Sequence, residues 1–301
     1  MEWGCEMHIR RLSTVRAQLG EGPYWDTRDQ ALFFVDILGS KLWRYDPATE
    51  VFQSWDTPAQ PSAISRAADD RFVAVLADGF YEFSPDDGRF DVLAKVDFEP
   101  GEVQLNDAKV DHQGRFVAGG TTKRQGRTAA LYSFDGERVT KLDTGYTICN
   151  GPCWSPDGTT FYISDTIPNV IYAYDYDCET GGVSNRRVHS DASLVGGFAD
   201  GATVDTDGRM WQAFCGEGKI LVLNPDGSTH RVLSTGVQWV SSVQFGGPKL
   251  DKLYVTSFVS TRPGGDDDNS GYLYVIEDLG VKGIAEPLAR PPRVLTGRGE
   301  E

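Results

Sequence analysis

Basic residues are scarce in this chain: 29 Lys and Arg stand against 44 Asp and Glu, a formal net charge of -15 over 301 residues. Such a surface repels a phosphate backbone and an anionic membrane, which argues against nucleic acid or lipid as partner and favours a cation or a neutral small molecule. Long apolar runs are missing too. None approaches the roughly 20 residues of a membrane-spanning helix, and the opening MEWGCEMHIRRLS lacks the apolar core of a signal peptide. The expectation is a soluble, cytoplasmic protein, monomeric or homodimeric. The five cysteines (Cys5, Cys149, Cys153, Cys178, Cys215) are odd in number and scattered, which does not make a disulfide framework. Cys149 and Cys153 lie close together with no second Cys or His pair nearby, so they read as buried thiols rather than zinc ligands. Runs of 3.6-residue periodicity are broken by Gly and Asp turns, so no long amphipathic helix is expected.

What the chain has instead is a repeat. A polar or small residue, a short apolar strand, a turn and a second apolar strand recur in EGPYWDTRDQALFFVD, SAISRAADDRFVAVL, NDAKVDHQGRFVAGG, NGPCWSPDGTTFYISD, DGATVDTDGRMWQAF and SSVQFGGPKLDKLYVTS. These six copies start at residues 21, 62, 106, 150, 200 and 241. A further hairpin with alternating apolar and polar residues follows each of them, the last being GYLYVIEDLGVKG. Four strands per copy at a spacing of ~40 to 50 residues imply an all-β fold, a six-bladed β-propeller with four-stranded blades around a central channel, as one domain over residues 1–301.

The first strand of each propeller blade lines the channel. Counting back four residues from the strand anchors Trp25, Arg66, Val110, Trp154, Val204 and Phe245 gives Glu21, Ser62, Asn106, Asn150, Asp200 and Ser241, six non-hydrophobic residues at one height. Converging carboxylates repel unless a cation joins them, and oxygen donors without His or Cys suit calcium, magnesium or manganese. The four histidines (His8, His112, His189, His230) fall in the N-terminal arm, in turns or on outer strands, so a Ser/His/Asp triad has no base. GGPKLDKL lacks the spacing of a phosphate loop, and GGDDDNSG lacks the terminal Glu of a calcium-binding EF-hand loop. The terminal TGRGEE reads as a frayed tail.

LGEGPYW, NDAKVD, NGPCWSPDGTTFYISDT and DGATVDTDGRMWQA resemble the signature blocks of the SMP-30/gluconolactonase/regucalcin family, in order and over nearly the whole chain. The resemblance implies a propeller with one divalent ion at the channel mouth, opening sugar lactones to aldonic acids. It implies metal ligands at Glu21, Asn150 and Asp200, a general base at Asp200 and substrate contacts from Asn106. The ion expected is calcium, with zinc, manganese, magnesium or iron(II) as alternatives. Two departures bear on substrate choice. Gln104 stands where many members have an arginine, keeping a hydrogen-bonding substrate contact without charge. GGTTKRQGRT, with Lys123, Arg124 and Arg127, replaces an acidic stretch.

A lactone carbonyl gathers negative charge as water attacks, so a Lewis-acidic ion suits that reaction. Trp239 and Tyr146 are expected near the mouth, to stack on a sugar face or to pack. The alternatives are a non-catalytic calcium-binding regulatory propeller and a propeller esterase of paraoxonase type.

Overall fold

The computed structural model describes residues 8–122, 126–261 and 267–293, and among them the regular elements are all strands. A short strand, β1 (His8–Arg11), comes first. Blade 1 is β2 (Gly20–Asp26), β3 (Ala31–Asp36), β4 (Lys41–Asp46) and β5 (Val51–Asp56); blade 2 is β6 (Pro61–Arg66), β7 (Phe72–Leu76), β8 (Gly79–Ser84) and β9 (Arg89–Lys95). Blade 3 is β10 (Glu102–Val110), β11 (Phe116–Thr122), β12 (Ala129–Phe134) and β13 (Val139–Tyr146); blade 4 is β14 (Cys149–Trp154), β15 (Thr160–Asp165), β16 (Val170–Tyr176) and β17 (Val183–Asp191). Blade 5 is β18 (Phe198–Val204), β19 (Met210–Cys215), β20 (Lys219–Leu223) and β21 (Thr229–Ser234). Blade 6 holds β22 (Val240–Gly246), β23 (Lys252–Ser257) and β24 (Tyr274–Glu277), with β1 as its outermost strand. The expected six-bladed β-propeller is what the chain forms.

The sixth blade departs from expectation in its outer strand. Of GYLYVIEDLGVKG only Tyr274–Glu277 is a strand, and the fourth place is filled from the N-terminus, with Ile9 opposite Ile276 and Arg11 opposite Tyr274. The reason is local. After Glu277 the backbone passes through left-handed conformations at Asp278 (φ 60) and Gly280 (φ 70), which turn it away from a return hairpin. It runs instead across the end of the channel where the inner strands finish. The N-terminal strand thereby closes the ring and covers a sheet edge that would otherwise be open.

Hydrophobic packing follows the ring. Each of six buried clusters joins two consecutive blades: Phe33 with Phe72 and Phe83, Phe80 with Phe116 and Phe134, Phe161 with Leu131, Phe214 with Tyr162, Trp211 with Phe245, and Trp25 with Tyr254. The stacked Phe80–Phe134 pair, ring centroids 4.6 Å apart, is typical; removing either ring should cost about 3–5 kcal/mol. Inner strands such as Cys149–Trp154 are buried on both faces, because a neighbouring blade packs on each. The outer strand Val51–Asp56 keeps only Phe52 and Trp55 partly covered. Burial therefore rises toward the axis, where the polar residues of the inner strands meet.

Of the other sequence features, Lys123 and Arg124 of the basic loop, Gly264–Asp266 of GGDDDNSG, Cys5 and the TGRGEE tail lie outside the described residues. No helix among the described residues is long and apolar enough to cross a membrane.

Candidate metal centre

Every inner strand carries a register shift at the same place. The bulges fall between Glu21 and Tyr24, Pro61 and Ala63, Leu105 and Asp107, Asn150 and Cys153, Ala199 and Ala202, and Val240 and Val243. Each counted position is inside its bulge or on its border. A bulge puts two residues opposite one and re-aims side chains, so a polar ring is built by a backbone device repeated around the axis. Glycines follow Glu21 and Asn150 for a steric reason. Gly22 (φ +50) leaves no room for a Cβ, which would meet the Ser62 carbonyl oxygen at 2.5 Å, and Gly151 (φ +64) would meet the Asp200 carbonyl oxygen at 2.9 Å.

The ring divides by task. Ser62 Oγ donates to the Leu105 carbonyl at 3.2 Å, and Ser241 Oγ donates to the Gly20 carbonyl, so both hydroxyls tie neighbouring blades together. The other four form the site. Glu21 and Asp200 are both buried, and the charge of Asp200 raises the Glu21 carboxyl. Asn106 Nδ2 donates to Asn150 Oδ1 at 2.7 Å and to the Cys149 carbonyl at 3.0 Å. Asn150 Nδ2 donates to Thr166 Oγ1 at 2.9 Å, and that hydroxyl donates to the Ala199 carbonyl at 2.9 Å, beside Asp200. Gln104 stands half-buried two residues before Asn106 and takes no part in this network.

Asp107 is a site residue that sequence analysis missed. Its Oδ2 accepts from Gly151 N at 2.8 Å and its Oδ1 from Ala108 N at 2.7 Å, which pins blade 3 to the residue after Asn150. Strict alternation would send the neighbour of Asn106 away from the channel, whereas the Leu105–Asp107 bulge lets both turn inward. The available signal was the acid in LND itself.

Three buried carboxylates thus share one end of the channel. Burial raises Glu21 well above the ordinary carboxylate range, and the negative charges of Asp200 and Asp107 raise it further against the Gly22 N–H. Burial lifts Asp200 to about 7, opposed by the interaction with the Glu21 carboxyl and reinforced by the charge of Asp107. Burial lifts Asp107 to about 6, held down by the Gly151 N–H and the Lys109 charge.

Several other buried acids have cationic partners, while Asp36 accepts from the backbone N–H groups of Gln18, Leu19 and Gly39. Asp26 pairs with Arg66 at 2.6 Å, Asp111 with Arg115 at 2.8 Å and Asp165 with Arg127 at 3.1 Å. Glu21, Asp107 and Asp200 form no ion pair among the described residues. No group of three or more His, Cys, Asp or Glu stands in a metal-holding arrangement there either. The donors on offer are the Glu21 and Asp200 carboxylates with the Asn150 amide oxygen, all hard oxygens lacking a counter-charge, and that chemistry fits a divalent cation.

Several expectations change. Tyr146 is fully buried, its hydroxyl bonded to that of Tyr174, and offers no face to a sugar. Trp239 is 6% exposed and packs on Phe258 with ring centroids 5.3 Å apart. Both are packing residues because the blade interface covers them. Arg127 is bound to Asp165 and to the Gly145 carbonyl. Cys149 and Cys153 are buried thiols pushed up by burial, Cys153 to about 12, which keeps them protonated.

The fold and the site together define a six-bladed propeller with an acid and amide cluster at one end of its channel. A sequence model of the SMP-30/gluconolactonase/LRE-like region matches residues 19–259, and the chain belongs to that family. It is 33% identical to regucalcin of Xenopus laevis over 284 residues, covering 89% of this chain and 93% of that protein. A luciferin-regenerating enzyme superposes with a TM-score of 0.88 at 27% identity, covering 94% of this chain and 99% of its own. A calcium-binding regucalcin from Agrobacterium tumefaciens superposes with a TM-score of 0.86 at 28% identity, covering 94% and 98%.

Proposed function

We propose that this protein is a divalent-metal-dependent lactonase that opens a sugar lactone to the aldonic acid. The observation that carries the reading is the Glu21–Asp200 pair: two buried acids on the same polar ring as the Asn150 amide, with no ion pair to a cation among the described residues. Membership of a family whose name includes gluconolactonase supports the choice of reaction.

Glu21, Asn150 and Asp200 would hold the ion, calcium in the first instance. When bound, it supplies Lewis acidity toward the ester carbonyl, where negative charge develops. Asp200 would accept the proton of the attacking water. Asn106 and Gln104 orient the sugar hydroxyls; Asn106 spends its Nδ2 on blade 4 and keeps its amide oxygen for substrate. Asp107 keeps the backbone beside Asn150 fixed.

The test is a pH-indicator assay of metal-stripped protein across an aldonolactone panel, with each divalent ion added back in turn and simple esters alongside. Hydrolysis that needs the ion and vanishes in Asp200→Ala is the expected result. Tight calcium binding without turnover of any lactone would make the protein a binding propeller, as the calcium-binding description of the Agrobacterium relative suggests. Preference for the simple esters would make it an esterase.

A further inference from the structure

The end of the channel away from the acid cluster is closed by the segment 282–290. Its backbone is bonded to four blades: Lys282 O accepts from Thr206 N, Gly283 N donates to Leu250 O, Ala289 N donates to Arg66 O, and Arg290 N donates to Gly114 O. Glu286 sits in the middle of this strap, its side chain only 9% exposed, with its Oε1 3.1 Å from Lys109 Nζ. The Lys109 ammonium also donates to Gln244 Oε1 at 2.9 Å and to the Ala202 carbonyl at 3.1 Å. Lys109 thus spans the channel from blade 3 to blades 5 and 6 and is held there by the strap.

Lys109 stands two residues after Asp107 on β10, about 7 Å along the strand. A cavity of about 20 Å³, room for roughly one water, is lined by Asp107, Lys109 and Glu286 together with Gly22 and Ser242. This space brings the ammonium next to Asp107 of the acid cluster, and its charge acts on that carboxyl. A lysine left without Glu286 would have Asp107 as its nearest buried counter-ion, and its charge would oppose any cation bound at Glu21 and Asp200. At protein dielectric such a charge remains effective over several ångströms.

We propose that Glu286 is a positioning residue for the metal centre: from the C-terminal strap it neutralises Lys109 and holds it at the channel floor, so that the carboxylate cluster is left for a divalent cation. The inference rests on the metal-binding part of the reading above. It gives the strap a role in the site's affinity that no residue at the mouth supplies.

The experiment is calorimetric titration of the metal-free full chain with calcium chloride, and separately with manganese chloride, at pH 8. Glu286→Gln preserves size and polarity but leaves Lys109 charged; it should bind the ion about tenfold more weakly. Glu286→Asp should stay within about threefold of the unaltered protein. The double variant Glu286→Gln with Lys109→Met removes both charges and should return affinity to within about threefold as well. A purely structural strap would make the double variant bind no better than Glu286→Gln, and that result, or an unchanged Glu286→Gln, overturns the proposal. Should Glu286→Gln fail to fold, Lys109→Met alone decides: affinity equal to or above that of the unaltered protein supports the idea, and weaker binding overturns it. Failure of the unaltered chain to bind either ion overturns the metal reading and this one together, whereas normal binding with insensitive variants overturns only this one.

Discussion

Glu21 of blade 1 and Asp200 of blade 5 are buried carboxyls at the same end of the channel, and the charge of Asp200 raises Glu21. The direction of the resulting pH dependence follows from linkage. A carboxyl whose folded pKa is raised contributes stability that is complete below its unfolded value, near 3.8 for Asp200, and is lost as pH rises through about 7. The metal-free protein should therefore lose stability between about pH 4 and 7, by on the order of 1–4 kcal/mol. Asp200→Asn should flatten that slope. Denaturant melts of both proteins at several pH values check it, and a slope unaffected by the substitution would show that Asp200 does not titrate there.

Glu21→Gln separates ligand from turn residue. The amide retains the shape and the local hydrogen bonding of the acid but gives the ion one carboxylate fewer, so divalent affinity should fall by roughly two orders of magnitude. The metal-free protein should be as stable as before at neutral pH, or more so, because a repulsive buried charge has gone. Calorimetry with calcium and a melt without it provide the two readouts. Loss of folding with affinity intact would return Glu21 to being a turn residue.

Asp107 makes a stability prediction of its own. Its two oxygens satisfy the N–H groups of Gly151 and Ala108, both buried at the blade 3 to blade 4 junction. Asp107→Ala leaves two donors unpaired and should cost about 2–4 kcal/mol. Asp107→Asn keeps one acceptor oxygen and removes a like charge from the cluster, so it should cost less. Equal losses in the two variants, measured by denaturant unfolding, would mean that the shape of the side chain matters and its acceptors do not.

How much of this was legible in the amino-acid order depends on whether the feature repeats. The blades were readable because polar residue, apolar strand, turn and apolar strand recur six times, and the positions of Glu21, Asn150 and Asp200 follow from counting along those copies. Asp107 was not readable, since a bulge overrides the period-two rule that sorts the faces of a strand. The buried states of Tyr146 and Trp239 depend on where neighbouring blades cover them, and a mouth-side position in the strand order does not reveal that. Lys109 and Glu286 are separated by most of the chain, and their meeting is a property of the strap alone. The outer strand of blade 6 was assigned to the wrong end of the chain because a hairpin pattern continues in the letters past Glu277 while the backbone turns away.

That last strand supports a prediction about the fold. β1 pairs with β24 over His8 to Arg11, and Ile9 packs against the cluster joining blades 5 and 6. Deleting residues 1–11 removes the pairing and leaves the Tyr274–Glu277 edge open. The melting temperature should fall by roughly 5 °C or more, in line with a loss of about 2 kcal/mol or more in a chain of this size. The bare edge should also promote association through strand addition. Melting curves and light scattering of the truncated protein test this, with divalent-ion affinity as the control: the acid cluster is built by inner strands, so a folded truncated ring should still bind the ion. A truncated protein that melts at the original temperature and stays in its original oligomeric state would show that β1 decorates the ring without closing it.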